Sequence, residues 1–358
     1  MSSLKITIII PSLLSGGAEK QSVFLAKVLS LYYKVSFIVL KGNQVEAKFM
    51  DILKHSTVDI ILLKGNLFKK SINIFLHLRK NHTDLIFSYL ASGNFFNAVI
   101  GSISGVKYRL GGIRASELSS NKIAFERLFH NYFNTSTISN NFSAVDGLSK
   151  AGFRRDKFHV IHNAFDLKQA PILRERKMTI NIISVGRFVT PKDYFTALLS
   201  IKNLLEQENI PPFVYNIVGY GVLESDIRYK VKELGLEKVV KLIIKPDNLE
   251  DYFKEADIYL STSLFEGLSN SVMEALSFSL PVVATPVGDM EYLVKQDENG
   301  FLCEMKNPQD ITSKLSVLIK DYELRKKMGL KSYEIIARNF SMGKFEKNYI
   351  EFINKLNN

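Results

Sequence analysis

Short apolar runs, each ending in a polar turn and followed by a stretch of helical periodicity, recur along this chain and constrain its fold more than any other feature. The first, Ile6–Pro11, is almost continuously apolar, as expected of a parallel strand buried on both faces. Further strands are expected at Val35–Leu40, Asp59–Leu63, Leu85–Tyr89, Tyr108–Gly111, Ser136–Ser139 and His159–Asp166. Helical stretches separate them, for example near Lys69–Asn81, Phe95–Ser104 and Ile123–Tyr132. The pattern then starts again, with strands at Asn181–Val185, Val214–Val218, Val240–Ile244, Ile258–Ser261 and Val282–Thr285. Such alternation builds βαβ units and parallel sheets. The chain therefore reads as α/β, with two doubly wound Rossmann-like domains at 1–166 and 167–340. The charged segment Leu167–Met178, which contains Pro171, reads as the linker. A terminal helix is expected over about 341–358, where Phe345, Tyr349, Phe352, Ile353 and Leu356 fall at helical spacing.

Length agrees with this division, since 358 residues exceed one ordinary core and suit two domains of about 150–200 residues each. No apolar run approaches the roughly 20 residues of a spanning helix. The start, KITIIIPSL, enters a strand with no hydrophobic signal stretch behind a basic segment, so a cytoplasmic protein is expected. One cysteine, Cys303, excludes an internal disulfide and reads as a small buried apolar residue. The six histidines show no zinc-ligand spacing. Charge is uneven. Residues 1–165 carry 21 basic and 9 acidic side chains, a net of +12, whereas residues 166–358 carry 26 and 27, a net of −1. A basic half beside a neutral one suggests a surface that meets polyanions, either nucleic acid or an anionic membrane, the alternative being a solvated basic surface with no partner.

Candidate site residues collect where strands hand over to helices. In the stretch Asp257–Glu291, Glu266 sits in such a turn and Glu274 in the first turns of the helix expected at Asn270–Phe278. Backbone N–H groups at a helix start, such as those of Gly267, Leu268, Ser269 and Asn270, suit an anion such as phosphate. Gly186 and Arg187 end the first strand of the second half, and Lys192 follows just before a helix that Asp193 would cap. Two cations there would suit a diphosphate, although taken alone they read as the basic residues of a solvated loop. Gly219 and Gly221 form another strand-to-helix turn, as do Gly288 and Glu291. All these positions fall at the carboxyl ends of strands of one parallel sheet, where open α/β folds bind ligands. Gly16 and Gly17 follow the first strand, but the turn is not G-x-G-x-x-G, and taken alone it is as consistent with plain turn chemistry as with a binding loop.

The motifs FEGLSNSVMEA, PVVATPVGDMEYLV and NGFL, preceded in order by GGAEK, VIHNAFD, VGRFVTPKD and VGYG, resemble glycosyltransferase family 4. The resemblance covers nearly the whole chain, is strongest from Val160 to Leu302 and is diffuse over Val35–Lys107. It implies the GT-B fold, two Rossmann-like domains facing across a cleft, with the terminal helix crossing back onto the first. It implies a retaining sugar transferase that uses a nucleoside-diphosphate sugar without metal or other cofactor. Arg187 and Lys192 would hold the diphosphate, Glu274 the ribose, and Glu266 with the N–H groups near Gly267–Asn270 the transferred sugar. Gly16 and Gly17 would let the first domain close on the substrates. Two positions depart from the family pattern. Asp193 stands where many relatives have glycine, and no histidine occupies the stretches YLASGNFFN and YRLGGIRASE, where relatives place one near the reacting sugar and where Asn94 or Arg114 would stand instead as acceptor-side contacts.

In this fold the first domain supplies the acceptor site, and that is the +12 half. A lipid-linked glycan acceptor at the anionic inner face of the plasma membrane, in surface polysaccharide assembly, would explain the asymmetry. Segment 67–80, LFKKSINIFLHLRK, either lies on such a membrane or packs Ile72, Phe75 and Leu76 into the core with its basic residues outside, and the core reading is the expected one. Nucleic acid is not expected as a partner, because no aromatic residues interleave with a basic groove. A nucleotide-sugar epimerase or glucan synthase on the same fold, and a non-catalytic polyanion-binding protein, remain as alternatives. UDP is the weakly preferred nucleotide, on family frequency.

Overall fold

The computed structural model describes residues 4–14, 16–113, 120–167 and 169–357. The chain forms two compact units, one of Met1–Ala164 with Met342–Asn358 and one of Phe165–Ser341.

The first unit runs β1 (Lys5–Ile10), α1 (Gly17–Leu29), β2 (Lys34–Val39), α2 (Ala47–Lys54), β3 (Asp59–Leu62), α3 (Leu67–Lys80), β4 (Leu85–Ser88), α4 (Leu90–Phe96), β5 (Tyr108–Ile113), α5 (Ser120–Leu128), β6 (Ser136–Ser139), α6 (Phe142–Lys150) and β7 (Phe158–Val160). Its sheet has the order β3-β2-β1-β4-β5-β6-β7, all parallel. The chain winds outward from β1 to β3 and then returns to β4, so the winding direction switches between β1 and β4. The continuous apolar run of β1 is explained by its two covered faces. Ile6, Ile8 and Ile10 enter one core cluster, and Ile9 joins Ile38, Leu40 and Ile86 in the other.

The second unit runs β8 (Ile180–Arg187), α7 (Tyr194–Leu205), β9 (Phe213–Tyr220), α8 (Glu224–Glu233), β10 (Val240–Ile244), α9 (Leu249–Glu255), β11 (Ile258–Ser261), α10 (Asn270–Ser277), β12 (Val282–Ala284), α11 (Met290–Leu293), β13 (Gly300–Leu302), α12 (Pro308–Lys320) and α13 (Tyr322–Asn339). The order β10-β9-β8-β11-β12-β13, again parallel, places a second switch between β8 and β11. The last helix, α14 (Met342–Asn357), belongs to the first unit. Its Phe345, Tyr349, Phe352 and Ile353 join the cluster around β1, and Tyr349 stands edge-on to Phe87 of β4 with ring centroids 5.6 Å apart.

Four local expectations are corrected. The strand read over His159–Asp166 is only Phe158–Val160, because its neighbour β6 ends at Ser139 and offers no further ladder partners after the bond from Ile161 N to Ser139 O. Beyond that point the Gln21 side chain holds both backbone groups of Ala164 at 2.8 Å. The helix expected at Phe95–Ser104 begins at Leu90 and continues as a π-helical turn over Asn97–Gly101. In the added first turns, a side chain at Gly93 would lie 2.9 Å from the carbonyl oxygen of Ile9 in β1, so the helix start packs closely on that strand. Two short elements, α11 and β13, were not expected, having four and three residues. The linker is no loose tether, since Arg174 reaches the carbonyl oxygens of Lys254, Phe253 and Phe278 at 2.7–3.1 Å. It is thereby tied to the ends of α9 and α10.

Candidate active site

In the second unit the turn after β8 and the loop after β11 are bound together by their backbones. Thr262, one residue past β11, donates its hydroxyl to the carbonyl oxygens of Lys192 (3.1 Å) and Asp193 (2.8 Å). Leu264 N donates to Pro191 O at 2.8 Å. These bonds span the switch between β8 and β11, and they bring Lys192 to Glu266. The Lys192 ammonium forms an ion pair and hydrogen bond with Glu266 Oε1, which also accepts the Ser263 hydroxyl at 3.0 Å. The lysine and glutamate side chains are only 20% and 15% exposed, so their attraction is screened less than that of a surface pair.

Asp193 explains its own departure from the family pattern. It sits in the left-handed region at φ 45°, where glycine and asparagine are at ease, and it is the N-cap of α7. Its carboxylate accepts the Thr196 hydroxyl at 2.6 Å and the Thr196 N–H at 3.4 Å. Asp193→Gly, which exchanges the cap for a relaxed backbone, is therefore expected to stay within about 1 kcal/mol of the parent. Asp193→Ala, which loses the cap and keeps the strained φ, is expected to cost about 1–3 kcal/mol. Urea unfolding of the two variants checks this ordering.

The remaining second-unit residues fall into two kinds. Arg187, the exposed last residue of β8, makes no ion pair among the described residues. Glu274 is half-buried one turn into α10, which starts at the exposed Asn270. Leu268 and Ser269 are buried, with the Leu268 side chain in the core, so this stretch presents backbone rather than side chains. The glycines serve close approach. A side chain at Gly186 would sit 3.1 Å from both Lys192 Cε and Tyr194 Oη, so its absence lets Lys192 lie across the strand end. At Gly219 and Gly221 the vacant positions face the backbone of Gly186 and Phe188, at 1.9 Å and 2.5 Å from their carbonyl oxygens. Gly267 O accepts the Asp289 N–H at 3.1 Å, which ties the Glu266 loop to the turn at Gly288. Glu291 is exposed in the first turn of α11.

Other expected residues lie in the first unit. Gly16 and Gly17 are exposed at the start of α1, where Glu19 folds over Gly16 closely enough that an added side chain would meet its carboxylate at 2.2 Å. Arg114 lies outside the described residues. Asn94 needs correction as an acceptor contact, because it is 1% exposed and fully engaged within the fold. Its Oδ1 accepts from Ser88 Oγ (2.8 Å) and Gly112 N (3.1 Å), and its Nδ2 donates to Gly112 O (3.1 Å) and Glu126 Oε2 (2.9 Å). It locks β4, β5 and α5 together.

Sequence reading passed over Thr262 and Ser263, whose only signal is a run of hydroxyl residues closing an apolar strand. It also passed over Glu126. This carboxyl is 4% exposed, and burial pushes it up to about 7, while the Asn94 hydrogen bond favours the charged form. A folded value above the unfolded one means that its contribution is fully present below about pH 4 and is lost as pH rises through 7. Glu126→Gln keeps the acceptor for Asn94 and cannot ionise. The variant is expected to gain about 2–3 kcal/mol on the parent between pH 5 and pH 8, read from denaturation curves at both.

The helix α3 also departs from expectation. Its buried residues are Ile74 and Leu78, whereas Phe68, Ile72 and Leu76 are 74%, 42% and 57% exposed. Of the stripe expected in the core, Ile72 and Leu76 thus face outward, beside Phe68, and Phe75 is half-buried. Among the described residues no helix is long and apolar enough to cross a membrane.

Residues 166–335 match the family described as glycosyl transferases group 1. A curated relative from Haemophilus influenzae, an uncharacterized glycosyltransferase, is 27% identical over 89% of this chain and 91% of its own. A Campylobacter jejuni relative is 26% identical over 90% of this chain and 92% of its own. It is an N-acetylgalactosamine-N,N'-diacetylbacillosaminyl-diphospho-undecaprenol 4-alpha-N-acetylgalactosaminyltransferase. Among solved structures, Anabaena HepE in complex with UDP superposes with a TM-score of 0.79 at 18% identity, covering 98% of this chain and all of that one.

Proposed function

We propose that this chain, a glycosyltransferase with the two parallel sheets of the GT-B fold whose residues 166–335 match the group 1 family, transfers a sugar from a UDP-sugar to a lipid-linked glycan in surface polysaccharide assembly, with retention of configuration. The observation that carries this reading is the Lys192–Glu266 pair at the switch between β8 and β11. There a cation and a carboxylate stand at the position where α/β folds bind ligands. The diphospho-undecaprenol acceptor of the Campylobacter relative and the UDP held by the Anabaena structure support the choice of substrates.

Arg187 and Lys192 meet the diphosphate charge in place of a metal, and no other cofactor is required. Glu274 accepts hydrogen bonds from the ribose hydroxyls, and Glu266 with the N–H groups of Gly267–Asn270 orients the sugar. In the transfer step the bond from the sugar anomeric carbon to the β-phosphate oxygen breaks as the bond to the acceptor oxygen forms on the same face. The departing diphosphate takes the acceptor hydroxyl proton. Electrostatic stabilisation of that leaving group is the main contribution of the protein.

The net +12 of residues 1–165 and the outward apolar face of α3, with Lys69, Lys70, Arg79 and Lys80 along it, support peripheral binding at the inner face of the plasma membrane. The test supplies UDP-sugars with a diphosphate-lipid glycan, follows UDP release, and assigns the new anomeric centre by NMR. Transfer with retained configuration that is abolished in Glu274→Ala supports the reading. Sugar interconversion without transfer would assign an epimerase, chain extension of a free glucan a synthase, and binding without turnover a polyanion-binding protein.

A further inference from the structure

We propose that a groove on the first unit, between the N-terminal turns of α3 and α4 and the end of α5, holds the first isoprene units of the lipid that carries the acceptor glycan. The inference rests on the lipid-linked acceptor proposed above and adds where its hydrocarbon goes. The groove has a volume of about 510 Å³ and is lined mainly by Leu67, Phe95, Phe96, Phe125 and Phe129, with Glu126 at its floor. Phe96 and Phe129 form a buried base, at 2% and 9% exposure, while Leu67 and Phe125 stand over it 58% and 64% exposed. The Phe95 ring lies edge-on to both Phe96 and Phe129, at 5.4 and 6.0 Å between centroids, which gives the slot firm aromatic walls.

Place and charge select the occupant. Leu67 opens α3 just beyond β3, and Ala91 lies in the first turn of α4 just beyond β4. The groove therefore opens at the carboxyl edge of the sheet, the edge at which such folds take their substrates. Lys64, Lys69 and Lys70 flank Leu67 in a segment with no acidic residue between Asp59 and Asp84, so this end of the groove lies in a positively charged stretch. This combination complements a hydrocarbon chain joined to a diphosphate. A bilayer surface is instead suited by the convex row of Phe68, Ile72 and Leu76 on the same helix. Glu126 is compatible with hydrocarbon, because Asn94 satisfies its carboxyl and burial favours the neutral acid.

Calorimetric titration of the full chain with farnesyl diphosphate, and with inorganic pyrophosphate as the reference, tests the proposal without any sugar. Farnesyl diphosphate is expected to bind at least tenfold more tightly than pyrophosphate. Ala91→Trp, which fills the groove, and Phe125→Ser, which removes a wall, are each expected to abolish that advantage and leave pyrophosphate and UDP binding unchanged. The double variant Phe68→Ser/Ile72→Ser is expected to keep it within twofold while weakening sedimentation with anionic vesicles. Equal affinity for the two probes would overturn the proposal, as would indifference to both groove variants. Equal loss in the Phe68→Ser/Ile72→Ser variant would assign the hydrocarbon to the bilayer-facing surface. A self-association broken by Ala91→Trp, with no isoprenoid binding, would assign the groove to a second copy of the chain. Failure of sugar transfer alongside groove-dependent isoprenoid binding removes the transfer reading alone, and lipid-linked transfer without such binding removes only the groove.

Discussion

Lys192→Ala is expected to lower kcat/KM for transfer by about 10²–10³, the usual consequence of removing one preorganised charge from a developing anion. The loss is expected mainly in kcat, because diphosphate charge grows in the transition state, and Lys192→Arg should restore part of it by keeping the cation. Glu266 provides the discriminating control. In the ligand-free arrangement its carboxylate and the donor diphosphate compete for one ammonium group. Glu266→Gln is accordingly expected to leave UDP affinity unchanged or raised while transfer falls. A parallel loss of UDP binding in both variants would mean that the pair is only a structural brace. The brace itself is worth something, since Lys192→Ala strands a carboxylate that is 15% exposed. The cost is about 1–3 kcal/mol, below the 3–5 of a fully buried pair because solvent and Ser263 still reach it.

Gly288→Ala is expected to disable the same site from a distance. Gly288 has φ +61°, and an added Cβ would stand 2.3 Å from Glu266 O and 2.5 Å from Gly267 O. The backbone penalty and the forced retreat of the Glu266 loop together cost about 2–4 kcal/mol of stability. Transfer is expected to fall by about 10² even at temperatures where the variant is folded, since a displacement of one ångström in a positioning loop has that effect. Thermal unfolding and kcat measured on the same preparation separate the two losses. A variant that melts normally and turns over normally would show that the Glu266 loop does not need this contact.

The two sheets were legible because a strand buried on both faces must be apolar throughout, as Ile6–Ile10 is, and the intervening helices carry their own period. Gly300–Leu302 and Met290–Leu293 offer too few side chains to show a period, which is why β13 and α11 escaped notice, whereas β12, equally short, lies in the longer apolar run Leu280–Ala284. The strand read over His159–Asp166 failed for another reason. Its apolar pattern continues, but ladder partners are a property of β6, and those end at Ser139. The face of α3 that carries Ile72 and Leu76 was misassigned because periodicity states which residues share a face and not which side that face meets. Asn94 looked free for an acceptor because a lone polar residue in a loop-like stretch carries no sign of the four hydrogen bonds that enclose it.

By itself, the sequence determined the two parallel α/β units and the presence of Arg187, Lys192, Glu266 and Glu274 at or just beyond strand ends, the edge at which open α/β folds bind ligands. Those are consequences of local pattern, and local pattern is written residue by residue. Only the tertiary structure decided that Lys192 and Glu266 meet. They lie 74 residues apart, and their encounter depends on the Thr262 hydroxyl bridging two strand ends, on glycines that let backbones touch, and on a left-handed Asp193. The same holds for Glu126, an ordinary surface residue by its sequence, which becomes a half-neutral acid only because α5 buries it against α4. Burial and long-range proximity are products of the whole chain's packing, so the chemistry that depends on them becomes readable only once the chain has folded.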